Sequence, residues 1–135
     1  MNTLVSQVVR TVSAWDGITP EPHRFGGTEF SLGKVEIGHI HNHGMVDIPF
    51  TKKIRDALVA QNDALPHHLL VESGWITFYV RSEDDVTQAL RLMRLSYLHK
   101  RSRRDQGFSA AAEIAQLAFA PEVTAALGHR SASGA

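Results

Sequence analysis

Three histidines and an aspartate crowd into one apolar, β-branched stretch, Glu36-Ile-Gly-His-Ile-His-Asn-His-Gly-Met-Val-Asp-Ile-Pro-Phe50. In an extended strand successive side chains alternate between faces, so Val35, Ile37, His39, His41 and His43 share one side and Glu36, Gly38, Ile40 and Asn42 the other. Imidazoles two residues apart then stand roughly 7 Å from one another. Two chemistries suit such a row. Neutral imidazoles beside a carboxylate are ligands for zinc, iron or copper, with His39, His41 and His43 as the metal set. Alternatively, Asp47 orients His39 or His41 as a general base working near neutral pH. The plain alternative is a half-exposed strand whose histidines only meet solvent. Gly38 and Gly44 speak against it, because glycines in strands mark places where a ligand or another backbone comes close. Asn42-His43-Gly44 also reads as a turn, which leaves His39, His41 and Asp47 as the firmer trio.

The elements that must position these residues follow from periodicity and turn chemistry. A helix over residues 3–14, capped by Thr3, carries the stripe Leu4, Val5, Val8, Val9 and Val12. Residues 19–27 contain Pro20, Pro22, Gly26 and Gly27 and read as an ordered loop bearing His23, Arg24 and Phe25. Strands are expected at 28–32, 35–41, 45–50 and 75–80. Helices follow Thr51 to about Gln61 and Ser82 to about Lys100, and shorter ones occupy 109–118 and 121–128. The pair His67 and His68 must point in opposite directions if its backbone is extended, so at most one of them can join His39 and His41. His99 and His129 are expected at the surface. The expected fold is α+β, a mostly antiparallel sheet of four or five strands with helices packed on it, forming one domain over 1–130 with a frayed tail at 131–135.

Composition bounds the function. The chain has 135 residues, 43% of them apolar and 21% charged, which is ordinary for a globular domain. Fourteen basic and fourteen acidic residues balance, so neither nucleic acid nor an anionic membrane is an expected partner. The basic run Lys100-Arg-Ser-Arg-Arg104 suits a helix C-terminus. With no cysteine, thiolate metal sites, cysteine nucleophiles and disulfides are all excluded. No apolar stretch approaches ~18 residues and no signal peptide is visible, so a cytoplasmic location is expected.

Several motifs in a fixed order resemble the family of small domains named after the luciferase of luminous fungi. They are Arg24-Phe-Gly-Gly-Thr-Glu-Phe30, Glu36-Ile-Gly-His-Ile-His41 with Val46-Asp-Ile-Pro-Phe50, Arg55-Asp-Ala-Leu58, Pro66-His-His68, Ser73-Gly-Trp75 and Leu95-Ser-Tyr97. The resemblance covers about residues 15–100 and leaves out the C-terminal helices at 109–128. It implies an oxygenase, an oxidoreductase that adds dioxygen to an electron-rich enolic ring with no organic cofactor. On that footing His39 or His41 with Asp47 forms the enolate, Arg24 and one of His67 and His68 hold its oxygens, and Phe25 and Trp75 stack on a flat small-molecule substrate. His43 departs from the family pattern, and the chain lacks the hydrophobic leader of the fungal enzyme, so light emission is not expected. The competing function is a non-catalytic protein that binds a small molecule or a transition metal through His39, His41 and one of His67 and His68. A third is an interaction module whose histidines only support the fold. A homodimer is compatible with the sequence. Plainer roles stand beside each assignment: Arg24 as ion-pair partner of Glu29 or Glu36, Trp75 and Tyr97 as core residues, Asp47 as a turn cap.

Overall fold

The structure, a computed structural model, describes residues 2–128, so His129 and the tail at 131–135 lie outside the described residues. Six strands form one antiparallel sheet in the order β1-β2-β3-β4-β6-β5. They are β1 (Ile18–His23), β2 (Gly27–Leu32), β3 (Val35–Ile40), β4 (Met45–Pro49), β5 (Leu65–Pro66) and β6 (Trp75–Tyr79). The helices are α1 (Thr3–Ser13), α2 (Lys52–Ala60), α3 (Glu83–Arg104), α4 (Ala111–Gln116) and α5 (Pro121–Ala126). The class is α+β as expected, with more strands than foreseen.

The main addition is β1, in the stretch expected to be a loop. It pairs only with β2 and is an edge strand. Pro20 and Pro22 are two residues apart, so their missing N–H groups fall on one side of the strand. An edge tolerates that loss, because its outer side has no neighbour to serve. Caps set the helix starts. Asn2, rather than Thr3, caps α1, its Oδ1 accepting from Leu4 N–H at 2.8 Å. Thr51 Oγ1 accepts from Ile54 N–H at 3.2 Å, and Ser82 Oγ from Asp85 N–H at 3.2 Å. α3 runs past Lys100 and ends among Arg101, Arg103 and Arg104, where positive charge suits the helix dipole. Among the described residues no helix is long and apolar enough to cross a membrane.

One face of the sheet is the core. Phe30, Ile37, Ile40, Val46, Ile48 and Ile76 are fully buried there with Leu92 and Met93 of α3 and with Val8 and Val12 of α1. Gly38 admits the helix, because a Cβ at that position would lie 2.6 Å from Met93 Sδ. Tyr97 belongs to this core, its hydroxyl donating to Asp16 O at 2.6 Å. His99 is buried, contrary to the surface placement expected: the chain after α3 folds back over it, so that it lines a cavity with Phe108, Ala110 and Leu127.

A β-bulge interrupts β3. Phe30 stands opposite Gly38 and Ser31 opposite Glu36, which leaves Ile37 as an extra residue. Strict alternation puts Ile37 with His39 and Glu36 against them. The bulge reverses this, sending Ile37 into the core and Glu36 to the histidine side. Bulges orphan backbone groups, and here the Ile37 carbonyl accepts from Ser96 Oγ of α3 at 2.8 Å. Lys100 Nζ donates to Ser96 Oγ at 2.7 Å and also to the Pro49 carbonyl. Burial pushes the Lys100 ammonium down to about 8.

Candidate functional site

The other face of the same strands carries the chemistry. Glu29, His39, Asp47 and Thr77 are successive cross-strand partners over β2, β3, β4 and β6, and residues directly opposite share a face. Asp47 is 1% exposed and lies mid-strand, not at a turn. Its Oδ1 accepts from Thr77 Oγ1 at 2.7 Å. Its Oδ2 lies 3.2 Å from His39 Nε2 and 3.0 Å from His41 Nε2. His67 Nε2 is 3.6 Å from Oδ1 and His68 Nε2 is 3.7 Å from Oδ2. Four imidazoles from two distant segments therefore converge on one carboxylate.

Both members of the His67–His68 pair are present, where at most one was expected. The extended backbone assumed for them ends at Pro66, and the chain bends at His68 and Leu69. The Leu69 and Leu70 N–H groups donate to His67 Nδ1 at 3.1 and 3.0 Å, holding the bend. The two rings stack, centroids 4.3 Å apart.

Carboxylates back two of the site histidines. Glu36 Oε2 lies 2.6 Å from His39 Nδ1, a contact that exists because of the bulge. Glu29 Oε1 lies 3.0 Å from the Nδ1 of His23, whose ring stacks on His39 with centroids 3.9 Å apart. Sequence reasoning missed His23, Glu29, Glu36 and Thr77 as members of this cluster. The hairpin pairing of β2 with β3 could have pointed to Glu29, whereas the bulge that brings in Glu36 left no clear signature beyond Gly38.

The charges divide unevenly. Burial works against a charged His39, but the hydrogen bonds to Asp47 and Glu36 outweigh it and hold the imidazolium up to about 9. At His41 burial prevails over the Asp47 hydrogen bond and the value falls. Burial likewise lowers His67. Burial would raise Asp47, yet the hydrogen bonds from His39, Thr77 and His41 hold it well below the usual carboxylate range. At neutral pH one carboxylate thus faces one imidazolium and at least two neutral rings.

These groups form the floor of a cleft of about 400 Å³. Arg24, Phe25 and Trp75 line its sides, and Trp75 lies over the histidines, its ring centroid 5.6 Å from that of His39. Phe25 sits in the turn Arg24–Gly26 in left-handed conformation, φ 57°, with 93% of its surface exposed. Arg24 forms no ion pair among the described residues, since Glu29 is taken by His23 and Glu36 by His39. His43 does not line the cleft. It is exposed in the turn after β3 and stacks on the outer side of the row, its centroid 5.7 Å from that of His41.

By distance, two groups can hold a metal ion, His23 with His39 and His41, and Asp47 with His67 and His68. The ligand atoms within each group lie within 4.8 Å of one another. No curated protein and no solved structure matches the chain. Residues 34–96 run from β3 into α3 and contain His39, His41, Asp47, His67, His68 and Trp75; they match the model of the Luciferase domain.

Proposed function

We propose that the cleft is the site of a metal-dependent oxygenase acting on a small enolic or aromatic compound, with His39, His41 and Asp47 as the metal ligands. The observation that carries this reading is the pair of distances from Asp47 Oδ2 to His39 Nε2 and His41 Nε2, 3.2 and 3.0 Å. With metal–ligand bonds of roughly 2.0–2.2 Å, ligands on one ion stand about 3 Å apart, which is how far Asp47 Oδ2 stands from each of the two imidazoles. Two histidines and one carboxylate form a set that leaves coordination positions open, as iron oxygenases require. The Glu36–His39 pair supplies the outer carboxylate that orients a metal-bound imidazole. A bound metal would hold the ligand's oxygens and supply Lewis acidity. Arg24 offers a positive charge to an enolate, and Trp75 an aromatic wall. In such a reaction the enolate carbon gives two electrons to dioxygen, a carbon–oxygen bond forms, and the outer oxygen takes a proton to leave a hydroperoxide.

A second reading, oxygenation without metal, is favoured by the split in protonation around Asp47. His41 is neutral and can take the enol proton, while His39 is already charged and can stabilise the anion.

Elemental analysis of protein purified without a polyhistidine tag, with oxygen uptake measured on enolic phenolics, separates the two. Stoichiometric iron, zinc or copper is expected, lost in the His39→Ala, His41→Ala double variant and in Asp47→Asn. Oxygen uptake by metal-free protein would favour the second reading. A double variant that folds and keeps metal and ligand binding unchanged would remove the basis of both.

A further inference from the structure

His67 differs from its neighbours in how its ring is held. Each neutral imidazole has one protonated and one bare nitrogen. Both the Leu69 and the Leu70 N–H point at His67 Nδ1, at 3.1 and 3.0 Å, and two donors require a lone pair there. The proton must therefore sit on Nε2. That nitrogen faces the cleft floor, 3.6 Å from Asp47 Oδ1, in a ring that is buried and set edge-on to Trp75 with centroids 5.9 Å apart. A nitrogen carrying a proton has no lone pair for a metal, and shedding the proton would leave an imidazolate.

We propose that His67, although spaced like a ligand, stays outside the metal's coordination shell and serves as a permanent N–H donor to the anionic oxygen of whatever compound binds beside the metal. The contact with Asp47 Oδ1 is long for a hydrogen bond, and Thr77 already serves that oxygen. The donor is thus available to a ligand oxygen placed between His67 and the ion. His39 and His41 make the opposite use of Nε2, and the loop after β5 sets the difference by aiming two backbone amides at one ring. This assignment rests on the metal reading above, but its first test does not.

Long-range proton–nitrogen spectra of the histidine side chains report which nitrogen holds the proton. In metal-free protein His67 is expected as the Nε2–H form. On addition of one equivalent of Zn²⁺, a diamagnetic probe, its nitrogens are expected to hold while those of His39 and His41 move to the metal-bound pattern. A His67 with the proton on Nδ1, or one whose Nε2 becomes metal-bound, overturns the assignment. Two variants then separate the donor from the loop cap, since glutamine places an N–H near Nε2 and asparagine places an oxygen near Nδ1. Both are expected to bind Zn²⁺ within about threefold of the parent. Tropolonate, an anionic enolic probe, should bind the zinc form of His67→Asn roughly tenfold more weakly and that of His67→Gln within about threefold. The reverse order, with His67→Asn intact and His67→Gln impaired, means that the ring only caps the loop and overturns the proposal. No Zn²⁺ binding by the parent protein overturns the metal reading and with it the ligand role of His67, while the tautomer is still decided.

Discussion

The two faces of the central strands obey opposite rules, although they share a backbone. On the α3 side Phe30, Ile37, Ile40, Val46, Ile48 and Ile76 are apolar and sealed, and a glycine stands where Met93 presses in. On the cleft side the same strands present Glu29, His39, Asp47 and Thr77 in one line, each polar and each partnered. One face supplies the burial that folds the chain. The other holds four imidazoles around a carboxylate through hydrogen bonds and charge. The first face holds the chain by burial and the second by paired polar groups, so the two should respond to mutation in separable ways.

The sharpest separation comes from a core truncation. Ile48→Ala empties space in the sealed face and is expected to cost about 2–5 kcal/mol in urea unfolding, with metal affinity in the surviving folded protein changed less than threefold. Next is the pH dependence of the cleft face in metal-free protein. His39 is raised from 6.5 to about 9, so its contribution is whole below pH 6.5 and is lost as pH rises through 9. Asp47 is lowered, so its contribution is present above its unfolded value and is lost only as pH falls through the depressed one. The melting temperature should fall from neutral to alkaline pH by the equivalent of ~1–3 kcal/mol, and His39→Gln should flatten that limb. A third variant couples the faces. Ser96→Ala removes the donor to the Ile37 carbonyl and is expected to cost about 1–2 kcal/mol, with weaker metal binding as Glu36 loosens from His39. Glu36→Gln tests the same contact from the cleft side. It should weaken metal binding about tenfold and, in metal-free protein at neutral pH, remove part of the stability that His39 contributes. The smallest effect belongs to His43→Ala, outside the cleft, with metal affinity and stability both near the parent values, within about 0.5 kcal/mol.

Local rules carried much of this arrangement in the sequence. The spacing of His39, His41 and Asp47 and the turn at Asn42-His43-Gly44 together define a hairpin that sets those residues side by side, and the pairing of His39 with Asp47 follows from it. Thr51, Ser82 and Pro121 announce their helices because a cap or a fixed φ acts within one turn. What escaped was set by contacts distant in sequence. Pro20 and Pro22 argue against a strand until the strand is known to be an edge. The pair His67 and His68 diverges only if its backbone is straight, and the bend that reunites them rests on amides two and three residues on. His99 has an exposed pattern on its own helix and is covered by a segment that returns from elsewhere.

The extra residue in β3 makes the strand change parity halfway along. Upstream of it the even-numbered Glu36 looks into the cleft, and downstream the odd-numbered His39 does. Deleting Ile37 would restore a regular ladder and keep Glu36, then next to Gly38, on the cleft side, whereas an Ile37 drawn into the ladder opposite Ser31 would turn that carboxylate toward α3. The carboxylate's approach to the imidazole it steers thus depends on Ile37 staying outside the ladder, and a one-residue slip of the upstream pairing would uncouple the two while the sheet stayed paired.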